Sequence, residues 1–188
     1  MGRVVYGNQM SLDGYVADRE GRFDWAVPGE DVHSAVNDDL RNVGTFVLGR
    51  RVWEVLRAWD VMDLADQGDA VRDFAGIWAA ADKVVCSRTL AEEDLADAPR
   101  TRLSRTFDPD EVRALAAASD RDVAVGGPEL ASQALASGIV DDVSLHVHPV
   151  VVGGGTPAFP TPVLLGLELV EQRAYDGGVV GLRYRPRA

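Results

Sequence analysis

Asp122-Val-Ala-Val-Gly-Gly-Pro-Glu-Leu-Ala-Ser-Gln-Ala-Leu135 is the stretch on which the fold turns. Val123, Ala124 and Val125 form an unbroken apolar run that reads as a short buried strand. Gly126-Gly127 ends it, and Pro128 opens an Ala/Leu-rich helical segment. That order leaves backbone N–H groups bare beside a positive helix terminus, a combination that suits a phosphate. It also makes an ordinary strand-to-helix turn of an α/β domain. The neighbouring strand ends decide between the two.

Outward from this junction the chain alternates strands and helices. Residues 3–8 read as a first strand, followed by a long polar, glycine-containing connection through Gly29, of the length that functional loops have. Residues 31–42 carry helical spacing, with Val32, Ala35, Val36, Leu40 and Val43 on one side. Residues 45–48 form an apolar strand stopped by Gly49, with a helix running on to Trp59. A helix over 69–80 leads to a strand over 83–86, and 101–107 reads as an extended edge. Asp108 caps and Pro109 starts a helix over 110–118. After the opening strand and its helix come a long strand pattern over 142–152, broken in effect by Pro149, and two strands flanking Asp176-Gly177-Gly178, a hairpin signal. The expected fold is therefore α/β: a mixed, mainly parallel sheet, helices on both faces and an antiparallel C-terminal hairpin. The chain carries no linker or repeat, so 1–188 reads as one domain.

A formal net charge of −11 argues against a nucleic-acid partner, which demands a basic face, but not against a small anion held by local arginines. Cys86 is the only cysteine, so neither an intramolecular disulfide nor a thiolate metal cluster can form. The first residues have no basic-then-apolar signal pattern, and no apolar run approaches membrane-span length. A cytoplasmic protein with no membrane partner is the expectation. His146 and His148 share one strand face, yet no acidic residue stands at ligand spacing, so no metal site is expected.

Three strand ends have a comparable character: Gly49-Arg50-Arg51, Ser87-Arg88-Thr89 and Gly126-Gly127. In an open α/β sheet such turns gather beyond the carboxyl ends of the strands, where arginine forks and hydroxyls would meet an anion-rich ligand. The spacing is neither a Gly-x-Gly-x-x-Gly fingerprint nor a Gly-Lys-Ser/Thr loop.

Met10-Ser-Leu-Asp-Gly14, Leu48-Gly-Arg-Arg-Val-Trp-Glu54, Val85-Cys-Ser-Arg-Thr89, Val125-Gly-Gly127, and Asp141-Asp142 through Pro149-Val-Val-Val-Gly-Gly-Gly-Thr-Pro157 follow in an order that resembles one family. It is the dihydrofolate-reductase-like family of riboflavin-biosynthesis reductase (RibD) C-terminal domains, and the resemblance spans nearly the whole chain. The resemblance implies a dihydrofolate-reductase fold, NADPH as cofactor and a homodimer. It assigns Gly49, Arg50 and Arg51 to the cofactor's phosphates, and Ser87 and Arg88 to the adenosine 2′-phosphate. Gly126 and Gly127 would back the pyrophosphate and nicotinamide ribose across a cis bond, with Glu129 and Leu130 entering the adjoining helix. One departure is Val52, where the family usually has a threonine hydroxyl.

On the acceptor side the resemblance marks Ser11, Asp13 and Trp25. Asp13 would orient the substrate or relay a proton; alternatively it is a turn carboxylate bonded to backbone. Trp25 would stack on a flat heterocycle or pin the loop to the core. Gly153-Gly154-Gly155 reads as a turn at the pocket rim. The preferred function is NADPH-dependent hydride transfer to a small heterocyclic or carbonyl/imine substrate. The sequence has no His-x-Glu and Pro-Cys-x-x-Cys pair of a zinc deaminase, so a place in riboflavin synthesis is not expected. Val52 favours the alternative of a non-catalytic nucleotide-binding or regulatory dimer. A binding protein for another phosphorylated ligand is a third reading.

Overall fold

The computed structural model describes residues 1–160 and 164–187. Ten strands and five α-helices alternate along the chain: β1 (Val4–Ser11), β2 (Tyr15–Ala17), α1 (Glu30–Leu40), β3 (Val43–Gly49), α2 (Arg50–Leu56), α3 (Asp69–Ala80), β4 (Asp82–Cys86), β5 (Thr101–Ser104), α4 (Pro109–Ala117), β6 (Asp122–Gly126), α5 (Pro128–Ala136), β7 (Asp142–His148), β8 (Thr156–Pro157), β9 (Leu167–Ala174) and β10 (Val180–Pro186). Eight strands form one sheet in the order β5-β4-β3-β6-β1-β7-β10-β9, and β2 pairs with β8 beside it. From β5 to β7 every pairing is parallel, while β10 runs antiparallel to both β7 and β9. The expected α/β architecture with its C-terminal hairpin is the one observed.

Strand alternation divides the core into two halves, one on each sheet face. Val4, Tyr6, Val123 and Val125 meet Val112, Ala116, Leu130, Ala131 and Ala134 from α4 and α5. On the other face Phe46, Leu48 and Ala124 meet Trp53 of α2 and Phe74, Ile77 and Trp78 of α3. Helix α1 packs on this second face, where its Leu40 joins the core. Among the described residues no helix is long and apolar enough to cross a membrane.

Two element bounds shift for local reasons. The strand pattern over 142–152 ends at His148, because Pro149 has no N–H to continue the ladder. The helix after β3 is regular only to Leu56 and tightens into a 3-10 turn over Arg57–Asp60, where Asp60 Oδ1 accepts the Trp78 indole N–H at 2.7 Å.

At the amino-terminal end of the parallel strands, Arg3 ties β6 to β7 through Asp122 (2.9 Å) and Asp142 (2.6 Å). Burial works to raise the Asp122 carboxyl, but hydrogen bonds from the Arg3 side chain and backbone N–H outweigh it and hold it below its ordinary value. A group depressed in the folded state contributes stability above its unfolded pKa of about 4 and loses it as pH falls further. The urea midpoint is therefore expected to drop on acidification below about pH 4. Asp122→Asn should lower the neutral midpoint and flatten that acid limb; an unchanged limb would remove Asp122 from the account.

Candidate functional site

Adjacent strands β3 and β6 send their following helices to opposite faces, α2 to one and α5 to the other. Such a reversal opens a crevice beyond the strand ends, since neither helix covers the gap. The register pairs Leu48 with Gly126 and Gly49 with Cys86, so the three glycine- or arginine-bearing turns lie side by side. The clustering expected from three separate stretches of sequence is thus present in the fold.

Glycine is required at the centre of this crevice. A Cβ on Gly126 would stand 2.4 Å from Leu48 Cδ2, and one on Gly127 would stand 3.2 Å from Val52 Cγ2. Gly127 also has φ +101°, ψ 133°, a conformation that L side chains rarely adopt. It caps α5 with no side-chain bond to the first amides, and Pro128 follows in the first turn. The Gly126-Gly127 bond is not the expected cis one: no cis peptide occurs among the described residues. The chain turns instead through the positive φ of Gly127.

The charged groups divide into held and available. Arg50 donates from Nε to Glu54 (2.6 Å) and from Nη1 to Thr89 Oγ1 (3.1 Å), which ties the β3 and β4 ends together. Arg51 and Arg88 are exposed and have no side-chain partner among the described residues. Ser87 is buried, and its Oγ accepts the backbone N–H groups of Thr89 (3.3 Å) and Leu90 (3.1 Å). It therefore shapes the turn that carries Arg88, with its own hydroxyl proton still free to donate. Glu129 is exposed in the first turn of α5. Leu130 is buried, its side chain 3.9 Å from where a Gly49 Cβ would be. Half-buried Val52 lies over both glycines and offers them only methyl groups.

At the end of β1 the expected acceptor-side residues act on the backbone. Ser11 is fully buried, and its Oγ accepts the Tyr15 N–H at 3.0 Å. Asp13 accepts from Val152 N (3.1 Å) and Gly153 N (2.8 Å), pinning the loop between β7 and β8. Its carboxyl is held below the ordinary range, first by the Ser11 hydroxyl; desolvation opposes this, and the N–H groups of Gly153 and Val152 add to the lowering. It is a carboxylate at neutral pH. Asp13→Ala is expected to remove amide hydrogen-exchange protection at Val152 and Gly153 while leaving β6 amides protected. Unchanged exchange at both would show that the loop holds itself. Trp25, in a 3-10 turn over Asp24–Ala26, packs edge-on against His148 with ring centroids 6.0 Å apart.

The fold also brings forward residues the motifs passed over. Gly7 is exposed although β1 lies in the middle of the sheet. The β1–β6 register ends at Tyr6 opposite Val125, so Gly7 stands beside Gly126. Gln9 lies on the same face, opposite His146, and His148 follows opposite Ser11. Burial lowers both imidazoles from their ordinary value; Asp39 opposes this at His146, and His146 adds to it at His148. A lone glycine within a strand pattern signals close approach of another group, and Gly7 was legible in that sense.

Two clefts lie elsewhere, against β4 and β5, lined by residues such as Cys86, Ser104, Lys83 and Arg100. Among the described residues no group of three or more His, Cys, Asp or Glu could hold a metal ion.

This is a mixed α/β fold of the dihydrofolate-reductase type, with its open crevice at the strand-order reversal. The chain belongs to the RibD C-terminal domain family, which matches residues 3–181 and is a family of reductase domains. It is 26% identical over 184 residues to the uncharacterized protein YyaP of Bacillus subtilis (strain 168), covering 97% of this chain and 94% of YyaP. A putative riboflavin biosynthesis protein from Shewanella sp. PV-4 superposes over the full length of both chains at TM-score 0.75 and 21% identity. A pyrimidine reductase-like protein from Corynebacterium diphtheriae superposes at TM-score 0.70 and 14% identity, over 100% of this chain and 92% of that one. RibD of Acinetobacter baumannii matches at TM-score 0.72 and 18% identity, and this chain spans 58% of its length.

Proposed function

We propose that this protein is an NADPH-dependent reductase that transfers a hydride to a small heterocyclic or carbonyl/imine acceptor. The observation that carries the reading is the adjacency of Gly126-Gly127 to the exposed Gly7. Two bare backbone surfaces meet there, one beneath the strand-end arginines and one on the open sheet face. Membership of a reductase domain family supports the same reading. NADPH fits these residues: Gly49, Gly126 and Gly127 would approach its pyrophosphate, with Arg50 and Arg51 at the phosphates. Ser87 and Arg88 would face the 2′-phosphate, and Glu129 and Leu130 would border the site. Bound there, the cofactor supplies the hydride.

The chain's own contribution is positioning. Arg50, fixed by Glu54 and Thr89, holds two strand ends together, while Asp13 anchors the 149–155 loop near the acceptor side. An ionised carboxylate that accepts two N–H bonds has no proton to give, so Asp13 would orient rather than protonate. Water or the acceptor's surroundings would supply the matching proton.

Val52 favours a second reading, a nucleotide-binding protein without turnover, because methyl groups stand where a hydroxyl would bond phosphate. NADPH fluorescence on titration, followed by oxidation across a panel of heterocycles, tests both. Absence of binding overturns the reductase, and binding without oxidation favours the second reading.

A homodimer and a cytoplasmic location belong to the same proposal. The hairpin of β9 and β10 forms the sheet edge and exposes Leu169, Val170 and Val180, apolar area that a second copy would cover. Sedimentation velocity is expected to give twice the chain's mass, and a monomer at micromolar concentration would end that part.

A further inference from the structure

On the α1 side of the sheet, Gly7 leaves the central strand open down to its backbone. A Cβ there would meet only Ser144 O at 3.6 Å and Ser144 Cβ at 3.9 Å. The next side chain on that face of β1 is Gln9, whose Oε1 lies 2.9 Å from His148 Nε2. Its Nε2 has no partner among the described residues and is not fully buried, and the Gln9 side chain as a whole is half-buried.

Two arrangements satisfy the Gln9–His148 contact. With a proton on His148 Nε2, the imidazole donates to the amide oxygen and the Gln9 NH2 is left for a ligand. With Nε2 bare, the amide turns over, donates to the ring and leaves its carbonyl outward. Burial and the neighbouring His146 disfavour the imidazolium, and of the two neutral tautomers the one protonated at Nε2 gives the first arrangement. Trp25 packed edge-on holds the ring in place, and the Trp25 Nε1–H is itself buried without an acceptor among the described residues.

We infer that Gln9 is the residue that sets acceptor specificity. Oriented by His148, its amide NH2 donates to a carbonyl oxygen or ring nitrogen lone pair beside the reducible bond. An acceptor with an amino group at that position meets two opposed donors and is disfavoured. His148 is a positioning residue that acts through Gln9. The inference rests on the reductase reading for the identity of the site, but its recognition chemistry can be measured without turnover.

The test uses a pair of similar size, 2-pyridone and aniline, the second of which offers an amino group and no ring-nitrogen lone pair, titrated into the 15N-labelled protein with and without NADPH. The Gln9 side-chain NH2 signals are assigned by their loss in Gln9→Met. The expected result is that 2-pyridone shifts those signals and binds at least about tenfold more tightly than aniline, a difference of about 1.4 kcal/mol. Gln9→Met should abolish the preference, and His148→Phe should reduce it with the Gln9 signals still present. A preference that survives in Gln9→Met, or 2-pyridone titration that leaves the Gln9 signals unmoved, overturns the assignment. Should His148→Phe fail to fold, Gln9→Met still decides. Failure of NADPH to bind in the fluorescence titration counts against the reductase alone, and the cofactor-free titration then decides the role of Gln9.

Discussion

Gly127→Ala is expected to destabilise the fold and weaken NADPH binding in one step. Alanine at φ +101° is strained by about 1–3 kcal/mol. Its Cβ would also press to 3.2 Å from Val52 Cγ2, so relief requires moving α2 or rotating the turn. Rotation would re-aim the Gly126-Gly127 backbone, which is assigned to the pyrophosphate. A loss of about 2–12 °C in Tm follows at about 2–4 °C per kcal/mol for a chain of this size, with NADPH affinity down at least about tenfold. Gly126→Ala should behave similarly through overpacking, since its Cβ would lie 2.4 Å from the buried Leu48. Gly76→Ala is the control: it stands in α3 with no atom within 4 Å of an added Cβ and should raise Tm slightly. Thermal melts alongside NADPH titrations measure both effects. A Gly127→Ala protein that melts normally and binds NADPH normally would remove this turn from the site.

Arg88→Ala is expected to separate the two nicotinamide cofactors. Arg88 is exposed, has no side-chain partner among the described residues, and rises from a turn held by Ser87 Oγ. Removing it therefore costs the fold little. A charge-assisted bond to a phosphate contributes about 1.5–3 kcal/mol, so NADPH should weaken about 10- to 100-fold. NADH, which lacks the 2′-phosphate, should change less than about twofold by the same reasoning. Arg51→Ala should weaken both cofactors together, because its assigned contact is to phosphates they share. Equal losses for NADPH and NADH in Arg88→Ala would move that arginine to the pyrophosphate or out of the site. High salt should shrink the NADPH preference, since the group is solvent-exposed.

Much of the candidate site was legible because its signals are local. The glycine pair, the proline at a helix start and the arginines after short apolar strands each report their own few residues. The bonds that give Asp13 its role were not legible, because Val152 and Gly153 lie 139 and 140 residues further along the chain. Sequence left Asp13 balanced between acid and turn residue; two long-range N–H donors favour holding the loop. Gln9 was invisible for a related reason. Nothing in its neighbours indicates that β7 brings His148 to its amide, or that Gly7 beside it stays open. The Gly126-Gly127 bond was expected to be cis, yet the path of the turn depends on packing against Leu48 and Val52, which belong to another strand and helix.

The sequence by itself determined the alternation of strands and helices, the antiparallel end and the three phosphate-suited turns. Those follow from side-chain periodicity and from the backbone freedom of glycine and proline, which act over a few residues. Only the tertiary structure decided that β6 lies between β3 and β1, with α2 and α5 on opposite faces. That placement turns three separate strand ends into one crevice and sets Gly7 beside Gly126. Strand order is fixed by long-range burial and parallel hydrogen-bond ladders, which no stretch of local sequence encodes.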